Sequence, residues 1–213
     1  DRRPATPGTM PFIRGSPPPG DWIGVDLNAT GSIAVVAHPA SGGVVMLGEQ
    51  PEGAGTPERC SGGKRKALRA ARDRESSARG DLNRRIAREI VKMARNLECG
   101  IKLEDLTGAG FAGWQKPGAP LLFSRRDGSF FHLQNLLMVR AHDADVVIAL
   151  VDPALTSRCC SRCGEQGIRR GKRFTCPRCG YTDHADVNAA FNIAAAPGIG
   201  RPAIPASSHR QRG

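Results

Sequence analysis

Aromatic residues are scarce in this 213-residue sequence: two Trp, one Tyr and seven Phe make up 5 % of it. That scarcity argues against a carbohydrate or peptide groove paved with rings and for an aliphatic core. Acidic residues are also in deficit, 20 against 31 Lys and Arg, leaving a net charge of +11. Such a charge attracts polyanions; nucleic acid is the first candidate partner and an anionic membrane surface the second. No run of about 18 or more apolar residues occurs, so no bilayer-spanning segment is expected. No charged-then-apolar leader is read either, and a cytoplasmic, nucleoid-associated location without a membrane partner is expected. What remains is 39 % hydrophobic residues, enough for one full domain and a small satellite.

Residues 1–20, with the triplet Pro17–Pro19, read as a disordered linker. From Trp22 the texture changes. Trp22–Leu27, Ser32–Ala37 and Val44–Leu47 read as strands joined by turns, an antiparallel meander. Glu49–Gly63 reads as a loop. A long basic helix is expected from about Lys64 to Leu97, with a possible break near Gly80. Its apolar stripe is Leu82, Ile86, Ile90, Met93 and Leu97, and the opposite side carries Arg84, Arg85, Arg88, Lys92 and Arg95. Ile101–Asp105 reads as a fourth strand, 107–128 as a Gly- and Pro-rich loop, and Phe130–His142 as a helix. Ala144–Val151 reads as a buried strand, Ala185–Ala195 as a short helix, and the stretch from Pro197 as a disordered basic tail. This order predicts an α/β fold of ribonuclease H type, a mixed sheet with flanking helices and a metal module inserted before the last helix. The expected division is a core over 21–157, a ribbon over 158–182, the last helix over 183–196 and the tail over 197–213.

Seven cysteines is an odd count, and four form two tight pairs, Cys160-x2-Cys163 and Cys176-x2-Cys179. In a cytosolic chain such pairs read as a metal site rather than a disulfide framework. Four thiolates suit tetrahedral Zn²⁺ and leave no open coordination position, so the zinc is expected to be structural. Each pair ends in glycine, Gly164 and Gly180, which permits the positive φ that turns backbone amides toward the sulfurs. Cys159 is the rival of Cys160; the matched Cys-x2-Cys-Gly pattern favours Cys160. Cys60 and Cys99 read as ordinary thiols. Around the module lie Arg158, Arg162, Arg169, Arg170, Lys172, Arg173 and Arg178 against the single acid Glu165, either a phosphate-contacting finger or a solvated face.

Acids interrupt apolar segments at three places: Asp26 in the first strand, Glu104 and Asp105 at the end of the fourth, Asp183 and Asp186 before the last helix. Each alone is an ordinary turn former or cap. Together they suit Mg²⁺ or Mn²⁺, and two such ions can activate water and stabilise a leaving oxygen in phosphodiester hydrolysis. Neighbours on a strand face opposite ways, so one of Glu104 and Asp105 faces Asp26; alternation alone leaves the choice open.

The motifs together resemble one family. Val151-Asp152-Pro153-Ala154-Leu155-Thr156-Ser157, Cys160-Ser161-Arg162-Cys163-Gly164, Phe174-Thr175-Cys176-Pro177-Arg178-Cys179-Gly180-Tyr181 and Ala185-Asp186-Val187-Asn188-Ala189-Ala190 resemble the C-terminal signature of TnpB proteins of insertion sequences, relatives of the type V CRISPR effectors. Gly24–Asn28 resembles the first RuvC motif, Leu103–Leu106 the second and Asp183–Asn192 the third; Asp81–Val91 is similar to the segment before the second motif. The resemblance implies Asp26, Glu104 and Asp186 as the triad holding two catalytic Mg²⁺ or Mn²⁺ ions, with Asp26 bridging both. It implies an RNA-guided DNA endonuclease, with target DNA single-stranded at the cut and a guide RNA bound by the full-length protein. Asn188 and Asp183 are candidates to support the triad, and Arg84 and Arg88 join the ribbon's cations as nucleic-acid contacts. Family members carry a large guide-gripping region ahead of the first motif, so a C-terminal portion or a decayed copy is expected. The competing reading is a zinc-dependent nucleic-acid binder that does not cut; a Holliday-junction resolvase shares the triad chemistry and is disfavoured by the basic ribbon.

Overall fold

The computed structural model describes residues 20–28, 32–49, 65–105, 130–154 and 156–199. The sequence-predicted linker, turn and loop segments at 1–19, 29–31, 50–63 and 107–128, the tail beyond 199, Cys60 and Leu106 lie outside them. Strands β1 (Trp22–Leu27), β2 (Ser32–His38) and β3 (Gly43–Glu49) form the expected meander. Helix α1 (Arg65–Asn96) leads to β4 (Gly100–Glu104), and helix α2 (Phe130–Asp143) to β5 (Ile148–Val151). Three short strands follow, β6 (Ile168–Arg170), β7 (Arg173–Thr175) and β8 (Thr182–His184), then helix α3 (Ala185–Ala195) and β9 (Gly198–Ile199).

The main sheet is mixed, in the order β3-β2-β1-β4-β5-β9; β4 runs parallel to β1 and to β5, while the other pairs are antiparallel. A smaller antiparallel sheet holds β6-β7-β8. Pleating sends alternate residues of β1 and β4 to opposite faces. Ile23, Val25, Ile101 and Leu103 join Ile86, Ile90, Leu133 and Leu137 in the core under α1 and α2. On the other side Val35 and Ala37 pack on Val187 and Ala190 of α3. The fold is thus helix, sheet, helix, and Gly24 marks the tightest contact: a Cβ there would lie 2.0 Å from the Ala190 carbonyl oxygen.

Lys102 lies on the α3 side and closes that helix. Its Nζ donates to the carbonyls of Ala194 (2.8 Å) and Ala196 (2.7 Å), C-terminal groups left without helical partners, and sits 5.1 Å from the centre of the Trp22 ring. Burial pulls the pKa of this ammonium down.

Several sequence-based boundaries shift for physical reasons. Helix α1 continues unbroken through Gly80, which is buried. Leu97 falls beyond the helix and is 44 % exposed, because the chain reverses at Glu98 (φ 53°); Ala87, Val91 and Ala94 complete the buried stripe instead. Strand β5 starts at Ile148 rather than Ala144, since Asp145 (φ 54°) and the bond from Val146 N to Ala141 O prolong the exit from α2. The tail from Pro197, expected to be disordered, contributes Gly198 and Ile199 as an edge strand on Val151 and Leu150. No helix among the described residues is long and apolar enough to cross a membrane.

Candidate functional site

Parallel pairing of β1 and β4 sets Val25 beside Leu103, so Asp26 and Glu104 are the next residues along adjacent strands. Both fall on the face opposite Val25 and Leu103, the face covered by α3. Asp186 enters from the first turn of that helix and is 1 % exposed. Alternation left Glu104 and Asp105 open; the strand register puts Glu104 on the side of Asp26. Asp105 lies just past β4, where its backbone amide donates to Val151 O at 2.9 Å.

Asp26 feels the charges of the other two carboxylates. Burial, followed by the charges of Glu104 and Asp186, pushes the Asp26 pKa up to about 8, against the pull of Asn28, whose Nδ2 donates to Asp26 Oδ2 at 3.1 Å. Burial also raises the Glu104 pKa, opposed by the Thr156 hydroxyl, which donates to Glu104 Oε1. Asp186 is partnered differently: Arg169 Nη2 lies 2.9 Å from Oδ1 and Lys172 Nζ 2.5 Å from Oδ2, both from the β6–β7 hairpin. His184 Nδ1 stands 3.9 Å from Oδ2. A carboxylate driven toward protonation first by burial and then by neighbouring acids, as Asp26 is, is a donor that a hard divalent cation relieves. Their oxygens are not gathered as closely as the thiols described below, since among the described residues only the four cysteines have ligand atoms all within 4.8 Å of one another.

The cysteine module is built from two matching turns. Gly164 N donates to Cys160 O (2.8 Å) and Gly180 N to Cys176 O (3.0 Å), and both glycines take the left-handed φ their positions require, 76° and 73°. Cys160 Sγ is 3.7 Å from Cys179 Sγ, and Cys163 Sγ is 3.5 Å from Cys176 Sγ. Four thiolates about 2.3 Å from a tetrahedral zinc would stand about 3.8 Å apart, so the donor set fits that ion. Backbone amides, first that of Cys179, draw the Cys176 pKa down to about 7, while its thiol neighbours hold that of Cys163 up at about 12, so the crowded sulfurs share protons that a bound cation would displace. Cys159 contributes only its backbone carbonyl here, accepting from Asn188 Nδ2 (2.8 Å) and Asn192 Nδ2 (2.7 Å).

Those asparagines fasten the module to α3. Asn188 Oδ1 also accepts from Ser161 N at 2.9 Å, and Asn192 Nδ2 reaches Thr156 O at 2.8 Å. Asn188 therefore ties the first cysteine turn to the helix bearing Asp186, and Asp183 accepts the Tyr181 hydroxyl at 2.7 Å. Sequence reasoning missed Thr156 as a partner of Glu104 and the hairpin cations as partners of Asp186. A hydroxyl two residues before Arg158 and the hairpin cations Arg169 and Lys172 carry no spacing signal for carboxylates 52, 17 and 14 residues away.

The other basic residues divide into engaged and exposed. Arg178 pairs with Glu165, Arg162 lies 5.0 Å from the centre of the Tyr181 ring, and Arg84 pairs with Asp81 at 2.7 Å. Arg158, Arg170 and Arg173 are exposed, as is Arg88 on α1.

A family model described as "Cas12f1-like, TNB domain" matches residues 130–193, which hold the cysteine module and Asp186. The chain is 36 % identical over 133 residues to the CRISPR-associated endodeoxyribonuclease Cas12f1 of Sulfoacidibacillus thermotolerans, a stretch covering 61 % of this chain and 30 % of that protein. It is 49 % identical over 47 residues to a TnpB-like protein of Aquifex aeolicus, covering 20 % of this chain and 15 % of that one. Among solved structures, a CRISPR-Cas12f ternary complex shares the fold at a TM-score of 0.60 and 17 % identity, over 92 % of this chain and 42 % of that one. A Cas12f1–sgRNA–target DNA complex does so at 0.51 and 19 % identity, over 84 % and 50 %. The chain is a relative of the TnpB proteins and type V CRISPR effectors. It spans less than a third of the length of the Cas12f1 relative it matches.

Proposed function

We propose that this chain is the nuclease portion of a TnpB-type DNA endonuclease, RNA-guided in its full-length form, with Asp26, Glu104 and Asp186 as its catalytic carboxylates. The observation that carries the reading is the meeting of three acids from β1, β4 and α3 at one buried place, where Asp26 is held near neutrality. The strand order of the main sheet, with two antiparallel hairpin strands beside a parallel pair, supports a ribonuclease H-like fold of the RuvC kind. The three carboxylates would hold two Mg²⁺ or Mn²⁺ ions, and those ions would supply an activated water and charge stabilisation at the scissile phosphate. The chain's own residues do the positioning: Thr156 orients Glu104, Asn28 orients Asp26, and Gly24 lets α3 bring Asp186 close.

Cys160, Cys163, Cys176 and Cys179 hold a structural zinc in this reading, making 158–182 a zinc ribbon between the core at 21–157 and the third-motif helix at 183–196. The ribbon's Arg158, Arg162, Arg170, Arg173 and Arg178 face a nucleic-acid strand, while Arg169 and Lys172 sit at the acidic site and meet the phosphate entering it. Target DNA, single-stranded where it is cut, is the substrate, and a guide RNA is the partner of the whole protein.

A non-cleaving, zinc-dependent nucleic-acid binder is the second reading. It is favoured by one observation, that both Asp186 oxygens are already held by Arg169 and Lys172.

The test is incubation of the purified chain with end-labelled single-stranded DNA and Mg²⁺, beside Asp26→Ala. Mg²⁺-dependent cutting that vanishes in the variant is expected. Salt-sensitive DNA binding without cutting, unchanged by Asp26→Ala, would favour the binder.

A further inference from the structure

The face of the sheet opposite the acids carries a feature of its own. Helices α1 and α2 leave between them a cleft of about 580 Å³, lined by Arg88, Lys92 and Arg95 from α1 and by Arg140 and Asp143 from α2. Four cations meet one acid there. None of the four has a carboxylate within ion-pairing distance among the described residues, although Asp143 and Glu89 are near in sequence. Arg140 is the sharper sign: its Nε is buried without a hydrogen-bond partner among the described residues. A buried donor in a folded protein ordinarily has an acceptor, so the cleft has room and donors for an anion that the described residues do not supply.

We propose that this cleft is a second nucleic-acid site that grips the phosphate backbone of a duplex. Three observations select that ligand. Arg88, Lys92 and Arg95 stand at i, i+4 and i+7, a row about 10 Å long at 1.5 Å per residue, which is longer than a single phosphate group and suits successive phosphates of a strand rather than one mononucleotide. Arginine forks from two helices suit phosphate oxygens approached from both sides. Among the described residues no aromatic side chain lines the cleft, so these residues offer no platform on which unpaired bases stack, and backbone contact is what a paired strand presents. The sheet separates the cleft from Asp26, Glu104 and Asp186, since α1 and α2 pack on the face of Val25 and Leu103 while α3 covers the acids. One molecule can therefore hold a duplex on one face while a strand occupies the other. The inference rests on the nucleic-acid reading above but not on catalysis.

The experiment is fluorescence anisotropy of the zinc-loaded chain with a 20-base-pair DNA duplex and the same duplex as RNA, titrated across 50–250 mM salt. The variants are Arg88→Ala/Lys92→Ala/Arg95→Ala and the charge-keeping Arg88→Lys/Arg95→Lys. The triple variant changes exposed residues, and an unaltered melting curve will certify its fold. Its affinity for at least one duplex is expected to fall tenfold or more. Its salt slope should flatten by about 2–3, because each phosphate no longer neutralised takes about 0.9 off the slope. The Lys variant should keep most of the slope, and Arg140→Ala should flatten it by about 1. An unchanged slope in the folded triple variant overturns the proposal. So does a weakening confined to single strands, or displacement of both duplexes by poly-glutamate at equal charge, which would mark an acidic protein partner. Loss of DNA cutting in Asp26→Ala with the cleft's salt slope intact tells failure of this site apart from failure of the nuclease reading.

Discussion

Gly24 on β1 and Ala190 on α3 meet so closely that a Cβ at position 24 would stand 2.0 Å from the Ala190 carbonyl oxygen and 2.4 Å from Ala194 N. That approach is what sets Asp186, four residues before Ala190, near Asp26, two residues after Gly24. Gly24→Ala is therefore expected to push the helix off the sheet, destabilising the chain by about 1–3 kcal/mol as overpacking does. Urea denaturation measures the loss, and a Mn²⁺ titration of the still-folded variant should show weakened cation binding. An unchanged denaturation midpoint would mean that α3 does not pack as described.

Asp26 gives the pH dependence its sign. Its folded pKa is raised from 3.8 to about 8, so between those values the folded state carries a proton that the unfolded state has shed. This group's contribution is fully present below pH 3.8, declines as pH rises, and is lost once pH passes about 8; the slope is at most about 1.4 kcal/mol per pH unit. In buffer without added divalent cations, Asp26→Asn should flatten this decline and be more stable than the parent at pH 8.5. Parallel stability curves for the two proteins from pH 5 to 8.5 would refute the assignment.

The two adjacent cysteines separate by their roles. Cys160→Ser should abolish stoichiometric zinc and loosen the module, because its sulfur lies among the other three within 4.8 Å. Cys159→Ala should retain one zinc per chain, since Asn188 and Asn192 use only the backbone carbonyl of residue 159. Zinc content by atomic absorption, with proteolytic sensitivity of 158–184 as a second readout, distinguishes them. The reverse pattern would exchange the ligand.

Lys102 should matter although it touches no reacting atom. Lys102→Met keeps the stem and removes the donors to Ala194 and Ala196, leaving two helix-end carbonyls uncapped. A loss of about 1–3 kcal/mol is expected by chemical denaturation, with zinc content unchanged. A variant as stable as the parent would show that water replaces the ammonium at no cost.

Much of this fold was legible from local signals. The span of β1 and that of α3 follow from an apolar run bounded by turn residues and from an Ala- and Ile-rich helical pattern. The cysteine turns follow from chemistry that needs a thiol pair and a glycine. What was not legible depends on residues far apart in sequence: the choice of Glu104 over Asp105 from the residues alone needed the register between β4 and β1. The same holds for Thr156 on Glu104, for the hairpin cations on Asp186, and for Arg140 completing a basic row on α1. The strand at Gly198 and Ile199 has no strand-like composition; it forms because the edge of β5 offers unpaired backbone groups.

The central claim is that carboxylates from β1, β4 and α3 form one divalent-cation site, and a Mn²⁺ titration followed by electron paramagnetic resonance tests it most directly. The zinc-loaded chain and its Asp26→Asn, Glu104→Gln and Asp186→Asn variants would be compared at pH 8.5. The account predicts saturable Mn²⁺ binding by the parent, weakened at least tenfold in each variant and competed by Mg²⁺. Binding that is the same in all four proteins, or absent from the folded parent, would contradict it.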